Sequence, residues 1–126
     1  MATIKSYTDI EQSQKLAEIL PLESADMCYK CIYEDPYDIC LRPYSEWKEE
    51  YKGLLVNREV DVIPCWSLAA LLGVLPFIDF TMPQLIGTPK TLYVCMYNDD
   101  LRSYPYDNPI DAVYGMIIKL YEQNLI

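Results

Sequence analysis

One apolar stretch, residues 62–78, constrains this sequence most, and an aspartate bounds it on each side. The stretch is shorter than the roughly 20 residues that a membrane-spanning helix needs, and a membrane anchor would prefer basic flanks. Within it, leucines recur at the i, i+3, i+4 and i+7 spacing of one helix face: Leu68, Leu71, Leu72 and Leu75. This spacing predicts a helix over Trp66–Leu75, ended by Pro76, near the centre of the protein core. We therefore expect no membrane association.

Three further helices are predicted from start signals and spacing. Thr8 and Glu11 have the form of a capping box, which predicts a first helix over residues 9–20. A capping asparagine followed by proline predicts a last helix that runs to about residue 123. Aromatic residues on one face predict a shorter helix within residues 42–52.

Runs rich in β-branched and aromatic residues predict strands at Met27–Tyr33, Ile39–Leu41, Thr91–Tyr97 and Leu101–Tyr106. The last of these contains Pro105, which is typical of a sheet edge. Residues 54–63 are predicted to form a hairpin or an extended loop, and residues 77–89 an irregular apolar connection. Because strands and helices do not alternate regularly, we predict an α+β fold with a small, mainly antiparallel sheet packed by about three to four helices. It should form a single compact domain over residues 1–126.

The chain is acidic, with 19 Asp and Glu residues against 10 Lys and Arg residues and a net charge of −9. Phosphate backbones and anionic membrane surfaces attract basic proteins, so we expect no direct binding of nucleic acid. The N-terminus lacks the basic and apolar pattern of a secretory signal, and we expect a cytoplasmic protein.

No histidine occurs in the sequence. Histidine is the commonest general acid or base and the commonest transition-metal ligand, so the familiar catalytic triads cannot be built. The adjacent acid pairs lack the controlled spacing of catalytic carboxylates, and the four glycines are too scattered for a phosphate-binding loop. We predict a chain that is not an enzyme and that binds neither a cofactor nor a metal. An enzyme that uses carboxylates or a cysteine thiolate is the less favoured alternative.

Five cysteines are present: Cys28, Cys31, Cys40, Cys65 and Cys95. The first two form a CxxC pattern, which is typical of zinc and redox sites when it lies in a tight turn or at a helix start. Here the neighbouring residues favour a strand, where positions 28 and 31 point to opposite faces. The pattern therefore favours reduced, mostly buried thiols, and leaves open whether this pair has a role beyond packing.

Twelve tyrosines and two tryptophans are many for this length, and both residue types are enriched at protein interfaces. The candidate partner surface consists of Tyr37, Tyr44, Trp47, Tyr51, Tyr104 and Tyr106. The alternative is that these rings cover the core with their polar tips in water. We predict a non-enzymatic interaction or accessory protein with an unidentified protein partner. An acidic inhibitor that mimics nucleic acid and blocks a DNA-binding host protein is the second hypothesis, and the oligomeric state stays open.

Three stretches of the chain, residues 25–27, 64–76 and 107–120, resemble uncharacterised short acidic proteins encoded by phages and mobile elements of gut Bacteroidales. The stretches comprise a leucine-rich helix and a capped terminal helix, which are structural signals. The resemblance implies a genomic context, and it implies no activity and no functional residues.

Overall fold

The computed structural model describes residues 5–32, 37–44, 46, 60–78, 81–87 and 92–126. In chain order these contain α1 (Ile10–Ala17), a 3₁₀ turn (Leu22–Ser24), β1 (Met27–Ile32), β2 (Asp38–Cys40), β3 (Val60–Cys65), α2 (Leu68–Val74), β4 (Gln84–Gly87), β5 (Tyr93–Met96) and α3 (Pro109–Glu122). The strands form two small antiparallel sheets, which confirms the α+β class. The described residues hold three α-helices, so the predicted three to four is slightly high. The predicted helix at 42–52 lies largely outside these residues.

Two compact units make up the described chain, an N-terminal unit (Tyr7–Ala70) and a C-terminal unit (residues 71–126 with 5 and 6). The boundary falls inside α2. The single-domain organisation stays a prediction. No helix in the described ranges is both long and apolar enough to cross a membrane.

The N-terminal unit is built on a three-stranded sheet in the order β2-β1-β3, against which α1 packs. On one face of this sheet lies a core cluster of buried residues: Met27, Tyr29, Ile63 and Cys65. Among the described residues, four partly buried side chains pack against the cluster: Tyr7, Ile10, Tyr37 and Ile39. The register places Met27 opposite Cys65, so alternate residues of β1 and β3 supply this face. β3 pairs with β1 as a long-range partner, and the hairpin predicted within 54–63 lies largely outside the described residues.

The capping box of α1 lies one residue later than predicted. Asp9 is the N-cap, and its carboxylate accepts the Gln12 N–H at 2.8 Å while the Gln12 side chain accepts the Asp9 N–H at 3.2 Å. Thr8 is fully buried instead, and its hydroxyl bonds Ser13 and the Trp66 N–H. The prediction of a Thr8–Glu11 box is therefore wrong, because tertiary contacts already use the Thr8 hydroxyl.

The leucine helix α2 is less central than its composition indicates. It begins at Leu68, after β3 has continued to Cys65 in register with β1, and Ser67 caps it by accepting the Ala70 N–H at 3.2 Å. Leu71 is its one fully buried residue, whereas Leu72 is 37% exposed. The prediction that this helix lies near the centre of the core is wrong, since only one side of the helix is covered.

The C-terminal unit pairs β4 with β5 and packs α3 against β5. β4 lies inside the segment predicted to be irregular, so that prediction is wrong for Gln84–Gly87. Its residues are mostly exposed and show no alternation that marks a strand. Pairing with β5, with Gln84 opposite Met96 and Gly87 opposite Tyr93, is what defines the strand.

The last helix agrees with its sequence signals at both ends. Asn108 caps α3 by accepting the Asp111 N–H at 2.9 Å, and Pro109 occupies the first turn. Its predicted apolar face is fully buried and comprises Ile110, Val113, Ile117 and Leu120. At the far end Asn124 has a φ of 57°, and the Leu125 N–H bonds the Leu120 carbonyl at 2.8 Å. This is a Schellman ending with asparagine in the left-handed position.

Candidate functional site

The structure separates the six aromatic residues predicted to face a partner. Tyr37 is half-buried and packs against the core cluster of the N-terminal unit, and Tyr44 is also half-buried. Trp47 and Tyr51 lie outside the described residues. In the C-terminal unit Tyr104 is 74% exposed, while Tyr106 is half-buried. The described part of the predicted surface with the greatest ring exposure is therefore the segment around Tyr104.

The segment 101–106 follows β5 as an irregular edge. It touches β5 at two isolated bridges, Met96 with Arg102 and Tyr93 with Tyr106, instead of forming the continuous strand predicted. Between the bridges, the hydroxyl of the buried Ser103 takes the place of a backbone carbonyl and accepts the Cys95 N–H at 3.0 Å. The same hydroxyl donates to the Tyr104 carbonyl at 2.9 Å. The bridges differ in register by one residue, which is the geometry of a β-bulge.

Lys119 of α3 contacts both the backbone and an aromatic ring of this edge segment. Its ammonium donates to the Arg102 carbonyl at 2.5 Å and lies 5.4 Å from the centre of the Tyr104 ring. A cation at this distance from an aromatic face is attracted by the ring, and each such contact contributes about 0.5–1 kcal/mol at exposed sites. The contact positions an aromatic ring that is otherwise open to solvent.

Two concavities meet at Tyr104 and Lys119, which line both. One, of about 240 Å³, is also lined by Tyr106, Tyr114, Ile118 and Glu122. The other, of about 350 Å³, is also lined by Val94, Arg102 and Pro105. We refer to Tyr104, Tyr106, Tyr114 and Lys119 as the tyrosine surface.

Gly115 is needed for the shape of the tyrosine surface. A Cβ atom added at this position would lie 3.1 Å from Cε2 and 3.2 Å from the hydroxyl oxygen of Tyr106. The Tyr106 ring therefore packs directly on the helix backbone, which a glycine inside a helix permits. Sequence reasoning missed Tyr114 and Lys119 as part of the surface. Tyr114 could have been indicated by its pairing with Ile118, four residues apart on the helix side away from the buried stripe, whereas this spacing does not include Lys119.

A separate apolar concavity of about 300 Å³ also lies in the C-terminal unit. It is lined by Leu72, Leu75, Phe77, Met82, Pro83 and Leu85, of which Phe77 is 70% and Met82 64% exposed. The described residues of its lining offer apolar contact and include no charged side chain. It provides a second surface against which effects at the tyrosine surface can be compared.

None of the five cysteines forms a disulfide. Cys28, Cys65 and Cys95 have no exposed surface, and burial raises the pKa of each of these thiols. The thiolate is the nucleophilic form, so at neutral pH these three thiols react more slowly than an exposed cysteine would. Cys28 and Cys31 lie on β1, and the predicted strand that points them to opposite faces is confirmed. Among the described residues, no group of three or more acidic or cysteine side chains could hold a metal ion.

The buried Cys95 thiol should make stability depend on pH above neutrality. Burial raises the pKa of Cys95 from 9.0 to about 11. Between these values the unfolded chain has lost the thiol proton and the folded chain has kept it, so the free energy of unfolding falls as pH rises. For this one group the expected slope is roughly −1.4 kcal/mol per pH unit, and below about pH 8 its contribution is constant.

Urea unfolding of the wild type and of Cys95→Ala at intervals from pH 7 to pH 11 measures this contribution. The alanine variant should show a shallower loss of stability above pH 9. Curves that stay parallel over the whole range would show that the thiol titrates normally in the folded protein.

In the three comparisons with known proteins, no family model, no curated protein and no solved structure matches the chain.

Proposed function

We propose that this chain is a non-enzymatic protein that binds an extended, proline-containing segment of a partner protein at the tyrosine surface. The observation that carries the proposal is the ring of Tyr104, which is 74% exposed yet positioned by Lys119 where two concavities meet. A large aromatic ring held in place before binding provides contact area at a low cost in conformational entropy.

The backbone of this edge favours recognition through side chains. Addition of a partner strand needs free N–H and C=O groups along the edge. Here the Arg102 carbonyl already accepts a hydrogen bond from Lys119, and Pro105 has no N–H to donate. Aromatic-lined grooves instead suit polyproline II segments, which are extended before binding and pack their rings against aromatic side chains.

Charge adds a second feature to the expected partner segment. The chain as a whole carries a net charge of −9, yet Arg102 and Lys119 both line the larger of the two concavities. A carboxylate placed beside the prolines would pair with these two cations. We therefore expect the partner segment to combine prolines with at least one aspartate or glutamate.

The test is a titration of the ¹⁵N-labelled protein with a synthetic decapeptide of prolines ending in two aspartates, followed by NMR. The amide signals of segment 101–106 and of the middle of α3 should shift, and a peptide with glycine in place of every proline should bind much more weakly. Tyr104→Ala should weaken binding of the proline peptide by at least about tenfold, which corresponds to 1.4 kcal/mol or more.

Matched variants separate ring contact from general damage. Tyr104→Phe keeps the ring and should retain most of the affinity, and Phe77→Ser in the separate apolar concavity should leave it unchanged. Gly115→Ala should weaken binding because its Cβ displaces the Tyr106 ring, whereas Gly73→Ala meets nothing within 4 Å and should not. Signal changes that map elsewhere, or equal binding of the glycine peptide, would refute the proposed surface or its preference for proline.

The acidic composition also supports a second, separate proposal, an inhibitor that mimics nucleic acid. Such a protein should bind a basic DNA-binding domain with an affinity that falls steeply as salt is raised. An origin in phages or mobile elements is likewise a proposal, supported by the sequence stretches that resemble such proteins.

A further inference from the structure

Two cysteines oppose each other across the pair of β1 and β2. Cys28 and Cys40 are direct Cα partners in the antiparallel register. Directly opposed residues have Cα atoms about 4.5–5.5 Å apart, and their side chains lie on the same face of the sheet. Disulfides form at Cα separations of about 4.4–6.8 Å, so the pair meets this requirement in either hydrogen-bonding arrangement.

The two thiols also interact in the reduced protein. Three effects raise the pKa of the Cys28 thiol to about 12. The largest is burial, followed by the charge of Cys40 and the hydrogen bond with Cys40. Cys28 has no exposed surface, whereas Cys40 is half-buried on β2, at an edge of the sheet. An oxidant from solution therefore reaches Cys40 first.

We propose that Cys28 and Cys40 are a modification site that forms a reversible disulfide, with a small-molecule disulfide such as glutathione disulfide as the oxidant. The Cys40 thiolate attacks one sulfur of the oxidant, breaks its S–S bond and releases one glutathione thiolate. The Cys28 thiol then loses its proton to water, and its sulfur attacks Cys40 and expels the second glutathione. Two protein thiols are oxidised, and one glutathione disulfide is reduced to two glutathione thiols.

The other cysteines are placed less well for this reaction. Cys31 lies on the opposite face of β1 from Cys28. Cys65 pairs with Met27 and therefore lies on the same face of the sheet as Cys31. Its thiol donates to the Thr8 carbonyl at 3.4 Å. Cys95 lies on β5, in the two-stranded sheet.

The disulfide would fasten the short strand β2 to the centre of its sheet. Ile39 lies on β2 and Tyr37 directly precedes it, and both pack against the core cluster of the N-terminal unit. Closing the loop between residues 28 and 40 restricts the unfolded chain, so oxidation should raise the melting temperature by roughly 10 °C.

The experiment incubates the purified full chain with excess glutathione disulfide and compares it with protein kept in dithiothreitol. Free thiols measured after denaturation should fall from five to three. The intact mass should decrease by the mass of two hydrogen atoms, and peptide mapping should find residues 28 and 40 in one crosslinked product. Dithiothreitol should reverse both the mass change and the rise in melting temperature.

Cys40→Ser should abolish the crosslink and the thermal shift, while Cys31→Ser, a change on the same strand, should retain both. Because Cys28 is buried and its replacement could impair folding, Cys40→Ser is the deciding variant. A wild type that keeps five thiols, retains glutathione on Cys40 or links a different pair of cysteines would overturn the proposal.

Discussion

Replacing Trp66 with alanine is expected to lower the free energy of unfolding by about 3–5 kcal/mol. The Trp66 side chain has no exposed surface, and its indole N–H donates to the Ser24 hydroxyl at 2.9 Å. The substitution removes a large buried side chain, leaves a cavity and breaks the hydrogen bond from the indole to Ser24, whose hydroxyl keeps its bond to the Pro21 carbonyl. This change removes more buried apolar surface than any other single replacement proposed for this chain.

Urea unfolding followed by circular dichroism measures the effect without relying on tryptophan fluorescence. Trp66→Phe keeps most of the apolar volume and should cost less than the alanine change. Ser24→Ala keeps the indole, removes the hydrogen bonds of the Ser24 hydroxyl with Trp66 and the Pro21 carbonyl, and should cost about 1–2 kcal/mol. A cost below about 1.5 kcal/mol for Trp66→Ala would contradict the complete burial of the indole.

Replacing Thr8 with valine is expected to cost about 2–4 kcal/mol, although the two side chains have nearly the same shape. The Thr8 hydroxyl lies 2.7 Å from the Ser13 hydroxyl and accepts the Trp66 N–H at 3.2 Å, and Thr8 and Ser13 are fully buried. Valine would leave these two polar groups buried without their partner, and each such group costs about 1–3 kcal/mol. The lost hydrogen bonds are those that connect the start of α1 to the residue after β3.

Thr8→Ser is the matched control, since it keeps the hydroxyl and removes one methyl group at a cost of about 1 kcal/mol. In a double-mutant cycle, Thr8→Val and Ser13→Ala should cost clearly less together than the sum of the two single changes, because they remove the same hydrogen bond. Additive costs would show that the two hydroxyls do not interact. A near-neutral Thr8→Val would show that water reaches the site.

Local signals in the sequence were enough where the structure depends on neighbouring residues. The start of α3 at Pro109, its Asn108 cap and its buried face follow from residues within a few positions of one another. The strand at Met27–Ile32 was also predictable, and with it the opposite directions of Cys28 and Cys31. Helix caps, proline effects and apolar spacing all act over one or two turns, which explains these agreements.

The incorrect predictions share one physical cause. Thr8 is a good capping residue by type, but contacts with Ser13 and Trp66 occupy its hydroxyl, and Asp9 caps α1 instead. β4 has a weak strand pattern and exists through its pairing with β5. In each case a partner from a different part of the chain decided the outcome, and propensity did not.

The sequence by itself determined the α+β class, the terminal helix with its cap and the opposed directions of the CxxC thiols, because these depend on short-range patterns. Only the tertiary structure decided which side of the leucine helix is covered, that Tyr104 lies exposed beside Lys119, and that Cys40 is the residue opposite Cys28. Strand register and side-chain exposure are set by pairing between distant segments. A pattern read along the chain does not contain the identity of those partners.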